Sequence, residues 1–168
     1  TFVYRTDLDR ARSLLRGAGI GEGTVLTILI AAGNPDTVAI AEAFQANLAA
    51  VGIDLSIQQV DFATYVAIVF GDLPPEERPH LFPMFWQPDY NDGWNHLAPQ
   101  LSCAAGSFGN AGQYCNPRVE SLLATARDAA DAETYQAALP EIQQFVTRDD
   151  PAAIYVAQAE WLTVLRRD

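Results

Sequence analysis

Residues 24–60 have the sequence TVLTILIAAGNPDTVAIAEAFQANLAAVGIDLSIQQV, and this stretch decides the fold class. Its first eight residues are apolar or β-branched without the spacing of a helix stripe, which predicts a buried strand at 24–31. Asn34 followed by Pro35 is a cap followed by a first-turn proline, and it predicts a helix to about Val51. Residues 53–58 then alternate apolar and polar, as in a half-buried strand. Strand, helix and strand in this order predict a βαβ unit with parallel strands.

The rest of the chain is expected to add helices and strands around this unit. The predicted fold class is therefore α/β, with a mixed sheet, a βαβ unit and flanking helices. Pro83 confines a third strand to an edge or a bulge because proline cannot donate a ladder hydrogen bond, and Pro140 is expected to kink or split its helix. Further helices are predicted at about 7–17, 62–70, 117–130 and 133–147, and further strands at 80–86, 152–157 and 160–165.

Residues 87–114 are rich in Gly, Asn, Pro, Ser and aromatic residues and show no periodicity. A stretch of this length without regular structure is uncommon in a compact domain, and it is usually functional or disordered. Its tyrosine, tryptophan and cysteine residues argue against disorder. The sequence therefore places the candidate site in this segment.

The composition excludes several functions. The chain of 168 residues has a net charge of −11, and all ten of its basic residues are arginine. A surface this acidic repels phosphate, so no nucleic-acid partner is expected. No apolar run approaches the roughly 18 residues of a membrane span. Since the sequence opens at Thr1 without a methionine, it is expected to be a piece of a longer chain.

Catalysis, cofactor binding and metal binding are not expected. The chain has two histidines and no G-x-S-x-G motif, so a nucleophile with a base in reach is not indicated. The run DYNDGWN at 89–95 departs from the register of a calcium loop. Cys103 and Cys115 are separated by eleven residues, which is too far for a close zinc-binding pair. In an exported protein such an isolated pair is most simply a disulfide; the alternative is two buried free thiols.

The order of several segments is similar to one known family. DLDRARSLLRGAG, a strand, AIAEAFQANLAAVGIDLSIQQVDFATY, WQPDYND, YCNPRVESLLATARDAAD and DDPAAIYVAQ follow one another here. This order resembles the C-terminal lobe of the extracellular solute-binding proteins of ABC importers, in the peptide/nickel (oligopeptide- and dipeptide-binding) branch. The resemblance implies a periplasmic-binding-protein-like fold in which two lobes close on a ligand. Residues 1–168 are then a single domain, the C-terminal lobe excised from a larger receptor.

The resemblance also implies function, partners and location. The expected function is capture of a small ligand, above all a peptide, for import without catalysis. The expected partners are the N-terminal lobe of the same chain and the membrane subunits of the importer, and the expected location is extracellular, periplasmic or at the cell surface on a lipid anchor. The alternatives are a ligand-binding sensor subunit, or a receptor for a nickel chelate, a sugar, haem or an opine. Many members have proline at the position of Gly93, and this departure leaves the alternatives to a peptide ligand open.

Site residues follow from the same resemblance. Asp89 matches an aspartate that meets the free amino group of the ligand in peptide-binding members; the alternative is a turn or capping residue. A carboxylate can recognise an ammonium group through a charge-assisted hydrogen bond. The cysteine pair is similar in placement to a disulfide of dipeptide-binding members. Flat side chains for ligand contact are expected at Trp86, Tyr90 and Trp94, with Asn91 completing the ligand-binding set and Trp161 assigned to the core. Core packing is the alternative for Trp94 and the favoured one for Trp86.

Overall fold

The computed structural model describes residues 4–157 and confirms the βαβ unit. Strand β1 (Thr24–Ala31), helix α2 (Pro35–Ala49) and strand β2 (Ile53–Val60) follow in order, and the two strands pair in parallel from Thr24 opposite Ile53 to Ala31 opposite Val60. The side chain of Asn34 caps α2 by accepting from the backbone N–H of Asp36 at 3.0 Å. Helix α1 (Leu8–Gly17) precedes the unit and is capped by Asp7.

The predicted third strand is reduced to one residue. Leu81 forms a parallel bridge with Ile28 of β1, because its N–H donates to Thr27 O and its carbonyl accepts from Leu29 N, both at 3.0 Å. Pro83 cannot donate, and the ladder ends before it. Within residues 4–157 the strands are thus parallel, and the predicted mixed sheet is not seen there. The predicted strand at 152–157 has no strand pairing, and the predicted strand at 160–165, with Trp161, lies outside the described residues.

Helices cover both faces of the sheet. Helix α2 packs on one face, and helix α3 (Phe62–Val69) packs on the other. The buried residues of the first core are Ile28, Ile30, Ala41 and Leu55, and those of the second are Leu29, Tyr65, Val69 and Ala111. A short 3₁₀ turn at Pro75–Glu77 follows in the polar loop after α3. The α/β class is therefore confirmed.

A separate helical core lies beyond the sheet. It is built from α4 (Gly93–Leu101), α5 (Pro117–Arg127) and α6 (Ala132–Gln144), with a π-helical turn at Phe145–Asp149. Helix α6 continues through Pro140, so the predicted splitting is wrong. Helix α4 was not predicted. The buried residues of this core are Leu97, Ala98, Leu101, Val119, Leu123, Ala126, Ala138, Leu139, Ile142 and Val146.

The loop between α4 and α5 is closed by a disulfide. Cys103 and Cys115 are bonded, with their Cα atoms 4.7 Å apart, which confirms the predicted pairing. Inside the loop, the buried amide of Asn110 donates to the carbonyl oxygens of Ser102 at 3.1 Å and Tyr114 at 2.7 Å, and it accepts from the backbone N–H of Tyr114 at 2.9 Å. These bonds satisfy the buried amide and hold the loop in one shape.

Arg78 ties the disulfide loop to the end of α3. Its guanidinium donates to the carbonyl oxygens of Val69 at 3.0 Å, Gly71 at 3.2 Å and Ala111 at 2.6 Å. A charged donor strengthens each of these bonds. The contact fixes the sheet layer against the loop between α4 and α5 of the helical core.

Candidate functional site

The carboxyl ends of the parallel strands define one edge of the sheet. Strand β1 ends at Ala31 and β2 at Val60, and the helices that follow begin at this edge with the caps Asn34 and Asp61. Open α/β sheets bind their ligands at this edge. Because the Leu81 segment runs parallel to β1, the chain leaves this bridge toward the same edge. Asp89 follows eight residues after Leu81.

A buried amide holds the backbone at Asp89. The side-chain oxygen of Asn95, in the first turn of α4, accepts from the backbone N–H of Asp89 at 2.8 Å and from that of Tyr90 at 3.5 Å. Asn95 is only 6% exposed, whereas the side chains of Asp89, Tyr90 and Asn91 are exposed. The structure thus fixes the main chain of Asp89 and leaves its carboxylate facing solvent. Asn95 was not among the predicted site residues, because no local signal in the sequence indicates its burial.

The two predicted tryptophans are held by internal bonds. Trp86 is half-buried, and its ring N–H donates to the backbone carbonyl of Asn95 at 3.3 Å. Trp94 was predicted to lie in a polar loop, but it lies in α4. It packs against the helical core, and its ring N–H donates to Leu123 O at 3.3 Å. The predicted loop was wrong because Asp92 caps a helix there by accepting from the N–H of Trp94 at 2.9 Å.

Asp92 and Tyr135 join α4 to α6. The hydroxyl of Tyr135 donates to the Asp92 carboxylate and accepts from the backbone N–H of Trp94 at 3.0 Å. The hydrogen bond from Tyr135 holds the pKa of Asp92 below its usual value. Desolvation, followed by the contact with Asp92, raises the pKa of Tyr135. This pair fixes the start of α4, and with it the loop that carries Asp89.

An open cleft of about 560 Å³ adjoins this loop. A volume of this order is typical of small-molecule sites. Two predicted residues, Tyr90 and Trp94, line it, whereas Asp89 does not. Its remaining lining residues are Asp92, Ala126, Arg127, Ala129, Ala130, Asp131, Ala132 and Tyr135. The cleft therefore lies on the helical side of the loop, and the Asp89 carboxylate lies outside its wall.

The geometry can be compared with known proteins. The family model described as bacterial extracellular solute-binding proteins, family 5, middle part, matches residues 1–108. The chain belongs to this family. This confirms the resemblance inferred from the order of segments.

Curated members of the family are similar over nearly the whole chain. The di/tripeptide-binding protein 4 of Pseudomonas aeruginosa is 32% identical over 168 residues, which cover 95% of this chain and 30% of that protein. The dipeptide-binding protein of Escherichia coli is 26% identical over 170 residues, which cover 98% of this chain and 31% of that protein. The chain thus spans under a third of the length of these relatives.

Solved structures agree on the fold. The periplasmic binding protein DppA of Helicobacter pylori, in complex with the peptide STSA, superposes with a TM-score of 0.74 at 27% identity, over 88% of this chain and 28% of that one. The dipeptide-binding protein of Pseudoalteromonas sp. SM9913, in complex with Met-Leu, gives 0.72 at 27% identity, over 83% and 28%. The first neighbour is a periplasmic binding protein and the second a dipeptide-binding protein, and the two superpositions confirm the predicted fold class.

The names of the relatives, the helix lengths and the placement of the acidic, histidine and cysteine side chains complete the description of this family member. The relatives named above are binding proteins, and the family is described as extracellular. In the part of the chain that the structure describes, no helix has the length and apolar character needed to cross a bilayer. Over residues 4–157, no cluster of three or more His, Cys, Asp or Glu side chains could hold a metal ion.

Proposed function

We propose that the whole protein is a receptor that captures peptides for an ABC importer, and that residues 1–168 are one domain, its C-terminal ligand-binding lobe. The observation that carries the proposal is the exposed carboxylate of Asp89. It follows the segment that leaves the Leu81 bridge toward the carboxyl edge of the sheet, and the buried Asn95 accepts from its backbone N–H at 2.8 Å. In this proposal Asp89 binds the free amino group of the peptide, and Tyr90 and Asn91 contact the ligand beside it.

The roles of the tryptophans follow from their bonds. Trp86 and Trp94 use their ring N–H groups inside the lobe, so they offer ring faces and edges to a ligand and no free donor. Trp94 lines the cleft together with Tyr90. We assign both tryptophans to the wall of the site, where their fixed rings can pack against peptide side chains.

Peptides are favoured over the other ligands of the branch. The curated relatives reported above are named for dipeptides and tripeptides, and the two solved neighbours are bound to peptides. Catalysis is not part of the proposal. His80, one of two histidines in the chain, accepts through Nδ1 from the backbone N–H of Thr27 at 3.1 Å, which is a structural bond of the sheet.

The proposal assigns partners and a location. Residues 1–168 span about 30% of the length of the relative reported first. In this proposal the N-terminal lobe of the full-length protein closes over the peptide. The membrane subunits of an ABC importer receive the peptide. The protein then acts outside the cytoplasm, in the periplasm or on a lipid anchor at the cell surface.

Calorimetry on the full-length protein tests the proposal. Asp89→Asn removes the charge but keeps the shape, and loss of a charge-assisted hydrogen bond of about 1.5–3 kcal/mol weakens binding of Leu-Ala about 10- to 100-fold. Asp54→Asn is the matched control, because Asp54 is an exposed carboxylate near the opposite end of the sheet. Equal affinities for the wild type and both variants would remove Asp89 from the site.

A further inference from the structure

Small side chains keep the cleft beside Tyr90 open. Ala126 lies near the end of α5, Ala129 and Ala130 lie in the connection between α5 and α6, and Ala132 is the first residue of α6; all four line the cleft. Ala129 is half-buried, and Ala130 and Ala132 are exposed. Because an alanine side chain ends at its Cβ atom, these residues take little of the volume of about 560 Å³. They therefore set how large a group the cleft admits.

Aromatic rings also line the cleft. Trp94 and Tyr135 are half-buried against the helical core, and Tyr90 is 56% exposed. The pKa of Tyr135 is raised by desolvation, by Asp92 and, in smaller part, by Tyr90, so the side chain of Tyr90 lies near that of Tyr135. Aromatic rings pack well against another ring, offset or edge to face. A cleft lined by three rings and by alanines fits a flat, apolar group.

The charges in the cleft disfavour an acidic group. Hydrogen bonds hold the pKa values of both lining carboxylates, Asp92 and Asp131, below the usual value. The arginine that lines the cleft, Arg127, donates through Nε and Nη2 to the carboxylate of its neighbour Asp128, at 2.8 and 2.9 Å. Because the charge of the arginine is compensated in this way, the two lining carboxylates repel a further one.

Tyr90 joins the cleft to Asp89. The side-chain oxygen of Asn95 accepts from the backbone N–H of Asp89 at 2.8 Å, and the carbonyl of Tyr90 accepts from the backbone N–H of Asp92 at 2.9 Å. These two bonds hold both residues against the start of α4. Their Cα atoms are about 3.8 Å apart, as in any two successive residues, but only the side chain of Tyr90 lines the cleft. A carboxylate and the cleft therefore lie within reach of one ligand residue.

We propose that the cleft binds a large aromatic side chain of the peptide's first residue while Asp89 binds the ammonium group of that residue. The inference rests on the proposed peptide-binding function, and it names the kind of peptide that the site prefers. The ammonium group and the side chain of a first residue branch from one Cα atom, so one residue can reach both Asp89 and the cleft. Ala129 and Ala130 are then specificity-determining residues, because a larger side chain at either position would take up the space that the ligand needs.

Calorimetry of the full-length protein with Phe-Ala, Ala-Phe, Ala-Ala and Glu-Ala tests the proposal. The wild type is expected to bind Phe-Ala at least tenfold more tightly than Ala-Ala, as for a pocket that gains affinity from each added apolar group. Ala-Phe should bind within about threefold of Ala-Ala, and Glu-Ala should bind most weakly, because of the two lining carboxylates.

Two variants change the cleft itself. Ala130→Leu places a larger side chain in its lining, and the ratio of the Phe-Ala affinity to the Ala-Ala affinity should fall below about threefold. Tyr90→Ala removes an exposed ring and should lower the same ratio. Ala104→Leu is the matched control, since Ala104 is an exposed alanine in the connection between α4 and α5 and does not line the cleft. This control should keep the wild-type ratio.

Each contrary result overturns the proposal in a distinguishable way. Ala-Phe bound as tightly as Phe-Ala would refute the assignment to the first residue. An unchanged ratio in Ala130→Leu and Tyr90→Ala would place the aromatic side chain outside the cleft, and an equal loss for all four peptides would mean that these residues act in lobe closure and not in selection.

The proposed function and this inference can fail separately. A wild type that binds no peptide would refute both, whereas a normal Asp89→Asn effect beside equal affinities for Phe-Ala and Ala-Ala would refute this inference alone. Thermal unfolding of each variant checks that it is folded, and Tyr90→Ala suffices for the test if Ala130→Leu is not folded.

Discussion

Replacing Asn95 with alanine tests whether one buried amide positions Asp89, the proposed ligand anchor. The variant loses the acceptor of two backbone N–H groups, at 2.8 Å from Asp89 and 3.5 Å from Tyr90. The longer contact is at the limit of a hydrogen bond and contributes little. Loss of the shorter one costs about 1–3 kcal/mol when the donor stays buried. Because Asp89 is exposed, water can reach its N–H, and we expect about 1.5 kcal/mol.

This cost can be measured by urea denaturation. With a slope of about 2 kcal/mol per molar urea, the midpoint falls by about 0.7 M. Peptide affinity of the full-length protein should also fall, since ordering one freed backbone residue on binding costs about 1–2 kcal/mol, or about tenfold. His96→Ala is the control, because His96 is the exposed neighbour in the same turn and its hydrogen bonds use only its backbone. A normal midpoint, or a lowered midpoint with unchanged affinity, would refute the positioning role.

Three further predictions concern stability, pH and the isolated lobe. Arg78→Met removes three charge-assisted bonds to carbonyl oxygens, and it should lower the free energy of unfolding by about 2–3 kcal/mol. Arg10→Met, at an exposed position, is the control and should change the free energy of unfolding by under about 0.5 kcal/mol. Equal urea midpoints for the two variants would contradict this prediction. The pKa of Asp92 is lowered mainly by Tyr135, so that contact stabilises the fold fully above the ordinary value of 3.8 and is lost as the pH falls through the lowered pKa. Acid titration should therefore destabilise the wild type more steeply than Tyr135→Phe below that value, and parallel curves would exclude the coupling. The 168-residue chain alone should fold, but it should bind Leu-Ala about a thousandfold more weakly than the full-length protein, because loss of the second lobe removes about 4 kcal/mol of ligand contacts. Circular dichroism checks the folding, and calorimetry checks the affinity. Equal affinities would place the site wholly within this lobe.

The βαβ unit was predictable because local signals agreed with its tertiary environment. The apolar run at 24–31, the Asn34-Pro35 cap and the alternation at 53–58 each specify one element, and their order fixes the parallel pairing. The same holds for α5, which begins at Pro117 after the cap Asn116. These elements appear in the structure within a few residues of their predicted bounds.

Helix α4 escaped prediction because its stability is tertiary. Its sequence GWNHLAPQL contains Gly93 at the start and Pro99 inside, both of which disfavour a helix from local sequence alone. Burial of Leu97, Ala98 and Leu101 in the helical core, together with the Asp92 cap, stabilises it instead. Sequence periodicity does not report such long-range packing.

The site was predictable in part. Asp89 and its neighbours stay a prediction from resemblance to a family, whereas Asn95, which accepts from the backbone of Asp89, is recognisable only from its burial and its bonds. The segment at 152–157 illustrates the opposite error. It has the composition of a strand, but a strand requires a partner, and none pairs with it among residues 4–157.

Asp89 is proposed to bind the amino group of a peptide, and blocking that amino group tests this role most directly. The measurement is the affinity of the full-length protein for Leu-Ala and for N-acetyl-Leu-Ala, in the wild type and in Asp89→Asn. Acetylation is expected to weaken binding to the wild type at least tenfold and to have a much smaller effect on Asp89→Asn, because the charge-assisted bond is already absent there. An acetylated peptide that binds the wild type as tightly as the free one, or an equal acetylation effect in both proteins, would contradict it.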